Sequence, residues 1–249
     1  MTYIKICGIT NLEDALVAVE AGADLLGFIF YEPSPRYVAP EAVKEIVSSV
    51  KCQVSSDGRR ETGDGGQKMR DSGLRSPVSG HALPSFVGVF VNASLDGVTQ
   101  ILDFCQLDAA QLHGEESPEF VNHFQGQAFK ALRPQSQEEA EALIQQYQSS
   151  NPPIFQSSNL PTLLLDAYHP TLYGGTGHVI DWTLAASIAQ RYSIMLAGSL
   201  TPTNVSEAIQ AVKPWGVDVS SGVEAEKGRK DHEKVRAFVK AVRNVKRNL

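Results

Sequence analysis

A thiol and a carboxylate each end an apolar run in this sequence, at positions far apart along the chain. Cys7 ends the run at residues 3–7, next to Gly8, and Asp166 ends the run at residues 162–166. Both runs are typical of buried strands, and parallel α/β folds place their chemistry at the carboxyl ends of strands. A thiolate of lowered pKa can remove a carbon-bound proton, and a protonated carboxyl group can donate one. The pair predicts a general base and a general acid; the alternatives are a buried structural cysteine and a helix-capping or salt-bridged aspartate.

Glycines and small hydroxyl residues follow three successive apolar runs in the last third of the chain. They occur as Gly-Gly-Thr-Gly at 174–177, Ala-Gly-Ser at 197–199 and Ser-Ser-Gly at 220–222. Glycine lets phosphate oxygens approach backbone amides, which a side chain would block. A single loop of this kind is more often a plain turn, but three after consecutive strands favour a phosphate site. The predicted phosphate-binding residues are Gly175, Gly177, Gly198, Ser199, Ser221 and Gly222.

Three further polar residues follow or end apolar runs and are predicted to bind substrate. Arg36 lies in a proline-containing loop and can bind a planar carboxylate bidentately, the alternative being a solvated surface arginine. His113 is either a ligand contact or a structural histidine. Asp218 is one of few polar groups in an apolar strand, where it either contacts a ribose hydroxyl or orients the neighbouring loops.

Eight strand-like runs alternate with eight helix-like segments along the chain, and this order must position these residues. The strand-like runs are continuously apolar, as in a parallel sheet covered on its outer face. Eight such units favour one (β/α)8 TIM barrel over residues 1–249, with the site in the loops after the strands. A doubly wound open sheet is the alternative, since periodicity does not show whether the eighth strand pairs with the first. The second helix is predicted at 40–50, and the seventh is predicted to start at Thr201.

Residues 51–84 do not fit this alternation. They are rich in Gly, Ser, Arg and Asp, contain few apolar residues and show no periodicity. We expect a flexible surface insertion between the second helix and the third strand, at the end of the barrel opposite the active site. A partner-binding loop is the less favoured interpretation.

Charge and cysteine content limit the classes of partner. The chain has 22 Lys and Arg against 28 Asp and Glu, a net charge of −6, which argues against a nucleic-acid or anionic-membrane surface. No pair among Cys7, Cys52 and Cys105 has metal-ligand spacing, so neither a metal site nor a disulfide framework is expected. With no leader sequence and no apolar stretch long enough to span a bilayer, we expect a cytoplasmic protein.

These segments together resemble the phosphoribosylanthranilate isomerase family of tryptophan biosynthesis. The resemblance is carried, in the order that the family has, by Lys-Ile-Cys-Gly-Ile-Thr at 5–10, Gln-Leu-His-Gly at 111–114, Leu-Leu-Asp at 164–166, and the motifs at 174–177, 196–200 and 216–224. It implies a (β/α)8 barrel that converts N-(5-phospho-β-ribosyl)anthranilate into 1-(2-carboxyphenylamino)-1-deoxyribulose 5-phosphate by an Amadori rearrangement.

The same resemblance implies the role of each site residue. Cys7 matches the family's general base, Asp166 its general acid, and Arg36 the position that meets the anthranilate carboxylate. The glycine loops match the phosphate cradle, and no cofactor or metal is implied. We expect a small phosphosugar substrate and a monomer or homodimer.

Two other functions stay open at this point. One is a different sugar-phosphate aldose–ketose isomerase on the same barrel, which would be expected to use two carboxylates rather than the thiol of Cys7. The other is a non-catalytic phosphosugar-binding protein, which would bind substrate without turning it over.

Overall fold

Regular elements alternate through the computed structural model, which describes residues 1–57, 82–148, 160–161, 163–167 and 181–245. The parallel strands are β1 (Tyr3–Cys7), β2 (Leu25–Ile29), β3 (Ser85–Phe90), β4 (Ala109–Leu112), β5 (Ala128–Leu132), β6 (Leu163–Leu165), β7 (Ile194–Leu196) and β8 (Gly216–Val219). The helices between and after them are α1 (Leu12–Ala21), α2 (Pro40–Asp57), α3 (Leu95–Cys105), α4 (Pro118–His123), α5 (Gln137–Gln148), α6 (Trp182–Ala189), α7 (Val205–Val212) and α8 (His232–Arg243). Among these described helices, none is both long and apolar enough to cross a membrane.

The eight strands form one closed barrel in sequence order, which confirms the predicted (β/α)8 fold. Closure depends on β8 pairing in parallel with β1, with Lys5 opposite Asp218 in the register. This pairing excludes the open sheet. A short hairpin, β9 (Glu224–Glu226) with β10 (Arg229–Lys230), follows β8 and was not predicted, because its strands are too short to show a pattern.

Strand alternation divides the buried side chains into two layers. One face of each strand packs against the helices in a large apolar core, which includes Ile4 and Ile6 of β1 and Val217 and Val219 of β8. The barrel interior holds a smaller apolar cluster supplied by β2 to β7, namely Leu25, Val87, Ala109, Phe129, Ala131, Leu164, Met195 and Ala197. At the junction of β1 and β8 the alternating interior positions are instead polar: Lys5, Cys7 and Asp218.

Two predicted boundaries were wrong. Helix α2 continues to Asp57 rather than ending at Val50, because Val54 extends the helical spacing of Val47 and Val50 and packs on the core. Of the predicted insertion at 51–84, residues 58–81 lie outside the described residues, and its flexibility stays a prediction.

Helix α7 begins at Val205 rather than Thr201. The Asn204 side chain accepts a hydrogen bond from the Thr201 amide at 2.7 Å, so it holds residues 201–204 in a turn that precedes the helix.

Candidate active site

A cavity opens at the carboxyl end of the barrel strands and brings the predicted site residues together. Those that line it are Cys7, Arg36, His113, Asp166, Gly198, Ser199, Asp218, Ser221 and Gly222. They come from loops or strand ends separated by more than two hundred residues, and closure of the barrel makes them neighbours. Gly175 and Gly177, the other two predicted phosphate-binding residues, lie outside the described residues.

Cys7 ends β1 on the interior face and lies at the base of this cavity, 5% exposed. The chain turns away directly after it, with Gly8 at φ 72°, a left-handed conformation that favours glycine. A Cβ at Gly8 would lie 2.8 Å from Arg36 Cδ and 2.9 Å from Ser220 Oγ. Gly8 therefore leaves room for the side chains of Arg36 and Ser220 next to the residue that carries the thiol.

Burial is the main influence on the Cys7 thiol. It raises the pKa of Cys7 above its ordinary value, because the thiolate loses solvation. The ammonium group of Lys5 acts against this and lowers the pKa, while the negative charge of Asp218 adds to the increase. The reactivity of the thiol thus depends on the charges beside it.

Asp166 follows β6, is 6% exposed, and is fixed through one of its carboxylate oxygens. Its Oδ1 accepts a hydrogen bond from the Ala167 amide at 2.8 Å. Its Oδ2 lies 3.4 Å from His113 Nε2. The backbone amide of Asp166 donates to Leu132 O of β5 at 3.0 Å, which continues the strand ladder up to the carboxylate.

Gln111 of β4 orients the His113 ring. Its amide nitrogen Nε2 lies 3.2 Å from His113 Nδ1. An amide N–H can only donate, so Nδ1 accepts, and a neutral ring then carries its proton on Nε2, towards Asp166. Gln111, His113 and Asp166 therefore form one polar chain across the cavity.

Arg36 is buried, yet one edge of its guanidinium already binds a carboxylate of this chain. Nε donates to Glu224 Oε1 at 2.7 Å, and Nη2 donates to Glu224 Oε2 at 2.8 Å. Lys230 Nζ also donates to Glu224 Oε1, at 3.1 Å. Burial raises the pKa of Glu224, but these two cations outweigh it and leave the pKa below its ordinary value. The other edge of the guanidinium, formed by Nη1 and Nη2, points away from Glu224. A second carboxylate could therefore bind to that edge.

The loops after β7 and β8 meet at the side of the cavity where the phosphate was predicted. A short 3-10 turn at Ser221–Val223 follows β8, and Gly198 and Ser199 follow β7. A Cβ at Gly222 would overlap the carbonyl oxygen of Leu200. Packing between the two loops thus requires a glycine at position 222. The sequence analysis had explained this glycine by the approach of the phosphate alone.

Three buried polar atoms that face the cavity have no hydrogen-bond partner among the described residues: Gln111 Oε1, His113 Nε2 and Ser220 Oγ. His113 Nε2 faces Asp166 but is not well aligned with it. Buried polar groups are nearly always paired, so unpaired ones gathered in one cavity indicate a polar ligand.

Sequence reasoning missed four residues of this site. Gln111 and Glu224 lie in motifs that the sequence analysis noted. Their contacts with His113 and Arg36, however, are seen only in the folded structure. Lys5 and Lys230 are buried lysines in short strands. A charged residue inside an apolar strand was the available signal for Lys5, the same signal that singled out Asp218.

Known proteins resemble this chain over nearly its whole length. A family model described as N-(5'phosphoribosyl)anthranilate (PRA) isomerase matches residues 72–241. A curated relative from Geobacter sp. (strain M21), named N-(5'-phosphoribosyl)anthranilate isomerase, is 45% identical over 242 residues, which cover 96% of this chain and 97% of the relative.

Two solved structures extend the similarity to the fold. One shows mutually generated monomers of dimeric phosphoribosylanthranilate isomerase from Thermotoga maritima; it is 33% identical with a TM-score of 0.72, and the match covers 98% of this chain and 99% of that one. The other is phosphoribosyl anthranilate isomerase in complex with reduced 1-(o-carboxyphenylamino)-1-deoxyribulose 5-phosphate. It is 33% identical with a TM-score of 0.71, at the same coverage of 98% and 99%.

Proposed function

The chain belongs to the N-(5'-phosphoribosyl)anthranilate isomerase family, and we propose that Cys7 and Asp166 catalyse this family's isomerisation as general base and general acid. The substrate is N-(5-phospho-β-ribosyl)anthranilate, an aminoaldose, and the product is the aminoketose 1-(2-carboxyphenylamino)-1-deoxyribulose 5-phosphate. The reaction is an Amadori rearrangement, a step of tryptophan biosynthesis. What supports the assignment of roles is that one thiol and one carboxylate line the same buried cavity, beside unpaired polar atoms.

Asp166 acts in the first step, in which the ribose ring opens. Its carboxyl group gives a proton to the ring oxygen, the C1′–O bond breaks, and the nitrogen lone pair forms the C=N bond of a Schiff base. The position of Asp166 is fixed by the Ala167 amide, so the carboxyl group does not need to reorient. His113 Nε2 lies 3.4 Å from its other oxygen, Oδ2.

Cys7 acts in the second step, in which hydrogen leaves carbon. The thiolate takes the C2′ proton, the C–H electrons form a C=C bond, and the π electrons of the C=N bond move onto nitrogen. The resulting enolamine tautomerises to the ketone. Because the substrate nitrogen accepts the electrons, these steps need neither a metal nor a cofactor.

The remaining residues hold the two ends of the substrate. The free edge of the Arg36 fork binds the anthranilate carboxylate, and Glu224 fixes the orientation of that fork. Gly198, Ser199, Ser221 and Gly222 bind the phosphate. Gly175 and Gly177 keep the phosphate-binding role that the sequence predicts for them. Asp218 is the candidate contact for a ribose hydroxyl. We further propose a cytoplasmic monomer or homodimer that needs no nucleic acid or membrane.

Turnover of freshly generated phosphoribosylanthranilate, followed by the loss of its fluorescence, tests the assignment. We expect Cys7→Ser and Asp166→Asn each to lower kcat on the order of 10²-fold or more, the usual scale for a general acid or base. Cys52→Ser is the matched control, because Cys52 is exposed on α2 and does not line the cavity. Circular dichroism establishes that each variant is folded.

The outcomes separate the proposal from its alternatives. A Cys7 or Asp166 variant with near wild-type turnover would remove that residue from its role. A folded wild-type protein that binds the product analogue but gives no turnover would be a non-catalytic phosphosugar-binding protein.

A further inference from the structure

Lys5 is a completely buried lysine that the mechanism above does not use. Its side chain is 0% exposed and projects from β1 into the barrel interior, two residues before Cys7 on the same face. The register of β1 with β8 sets Lys5 directly opposite Asp218. Lys5 Nζ donates to Asp218 Oδ1 at 3.0 Å. A buried lysine is costly unless its charge is paired, and Asp218 supplies that pairing.

The ammonium group also lies beside the catalytic sulfur. A Cβ built on Gly27 of β2 would be 2.8 Å from Cys7 Sγ and 3.0 Å from Lys5 Nζ. The sulfur and the nitrogen therefore converge on one point, which the missing side chain of Gly27 leaves open. The Lys5 ammonium thus lies next to the Cys7 sulfur while it donates to Asp218.

Four charged groups from different elements act on the Cys7 thiol. Lys5 of β1 and Lys230 of β10 favour the thiolate, and Asp218 of β8 opposes it. Arg36, from the loop after β2, is the fourth group and is also favourable. Glu224 offsets Arg36 and Lys230, since it is paired with both. Lys5 is the largest of the influences that lower the pKa of Cys7.

We infer that Lys5 is the counter-ion of the Cys7 thiolate, and that Asp218 holds the Lys5 ammonium in position. This inference rests on the proposed function, in which Cys7 removes the C2′ proton. When the sulfur takes that proton its charge disappears, and the electrons pass to the substrate nitrogen. Lys5 keeps all its protons throughout and acts only through Cys7, so it is a positioning residue. Its hydrogen bond to Asp218 keeps its charge paired after the thiolate becomes a thiol.

A purely structural role for Lys5 makes a different prediction. If the ion pair only fills the barrel interior, the titration of Cys7 does not depend on Lys5. If Lys5 is the counter-ion, its removal must make the thiolate harder to form. An opposite charge within about 4–6 Å changes a pKa by roughly one to three units.

The test is the pH titration of the Cys7 thiolate by its ultraviolet absorbance, with no substrate present. The spectrum of a Cys7→Ser variant in each background is subtracted, which removes the contributions of Cys52 and Cys105. We expect Lys5→Met to raise the pKa of Cys7 by about one to three units. Asp218→Asn removes a negative charge and is expected to move the pKa in the opposite direction, down.

Two further variants complete the test. The double variant Lys5→Met/Asp218→Asn removes both members of the ion pair, which leaves no unpaired charge in the barrel if Lys5→Met alone does not fold. It is expected to titrate above wild type, since Lys5 influences Cys7 more than Asp218 does. Lys130→Met is the matched control, because Lys130 is also a buried lysine but lies outside the cavity around Cys7.

Each outcome bears on one proposal at a time. A Cys7 titration that is unchanged in a folded Lys5→Met protein, or in the folded double variant, overturns the inference whatever the turnover. An equal change in Lys130→Met overturns it too, since the effect would not be specific to Lys5. Failure of wild type to turn over phosphoribosylanthranilate overturns the proposed function instead, and the titration is read independently of it.

Discussion

Two buried lysines, Lys5 and Lys130, stand in strands of the same barrel but in opposite environments. Lys5 lies on the interior face of β1, with Asp218 and Cys7 around its ammonium group. Lys130 lies on the outer face of β5, where Nζ donates to the carbonyl oxygens of Leu112, Gly114 and Ala131 and pairs with Glu116 Oε2 at 3.2 Å. Burial opposes the charge of both lysines. The negative charges beside Lys5 outweigh burial and raise its pKa above the ordinary value. The negative charge beside Lys130 does not, and its pKa stays below the ordinary value.

The difference shows what each cation is for. Three of the four partners of Lys130 are backbone carbonyl oxygens, and its carboxylate partner Glu116 accepts hydrogen bonds from the Asn92 and Gly114 amides. That cluster ties the loops after β3 and β4 to β5, and it includes Gly114, the residue after His113. Lys5 does not hold a loop in place. It lies beside the side chains of Asp218 and Cys7, which line the cavity. Lys130 thus fixes the position of loops on the outside of the barrel, whereas we infer that Lys5 supplies a positive charge to the Cys7 sulfur on the inside.

The largest effect expected is on stability, from Lys130→Met. Removing one partner of a buried ion pair leaves Glu116 uncompensated and costs about 3–5 kcal/mol. Urea unfolding of Lys130→Met against wild type measures it. Lys51→Met is the control, because the contact of Lys51 with Gln106 is exposed, and it is expected to change stability by no more than about 0.5 kcal/mol. A loss for Lys130→Met no greater than that of the control would contradict the comparison.

The next effect concerns catalysis, from Lys5→Met. Burial raises the pKa of Cys7 and Lys5 lowers it, so losing Lys5 moves the rising limb of kcat/KM to higher pH. At neutral pH we expect kcat/KM to fall roughly 10-fold for every pH unit by which the pKa of Cys7 increases, and to recover towards wild type as the pH is raised. Pre-steady-state and steady-state rates over the stable pH range provide the measurement. A loss that is the same at every pH would instead indicate distorted geometry.

The smallest effect sharpens the comparison from the Lys130 side. The Tyr147 hydroxyl donates to the Glu116 carbonyl at 2.5 Å and supports the Lys130 cluster from α5. Tyr147→Phe is expected to lower the free energy of unfolding by about 0.5–1.5 kcal/mol, the net worth of one hydrogen bond. The titration of Cys7 should stay as in wild type. A changed titration in Tyr147→Phe would mean that the two lysine environments are coupled.

The sequence predicted the fold because its signals are local. The eight strand-like runs became the eight strands of the barrel, since each is a largely apolar run between turns. The rule that chemistry follows strands selected Cys7 and Asp166, and both line the same cavity. The end of α2 was missed because the polar residues after Val50 masked the contact made by Val54.

What could not be predicted is which distant residues pair. Lys5 and Asp218 are 213 positions apart, and Arg36 and Glu224 are 188 apart. Periodicity left open whether β8 meets β1, and the Lys5–Asp218 contact depends on that meeting. Arg36 was matched to a substrate carboxylate, but no local pattern indicates that Glu224 already occupies one edge of its fork.

The pairing of β1 with β8 delays completion of the site until the eighth strand has been made. During synthesis Cys7 leaves the ribosome long before Asp218, Ser221 and Glu224 do. Until they arrive, the amino-terminal strand has an unpaired edge, and its lysine lacks the carboxylate that holds it. In a growing chain the site around the Cys7 thiol is therefore incomplete. We expect isomerase activity only after the barrel has closed. Catalytic activity therefore indicates that the barrel is complete. A fragment that ends before β8 is expected to be inactive.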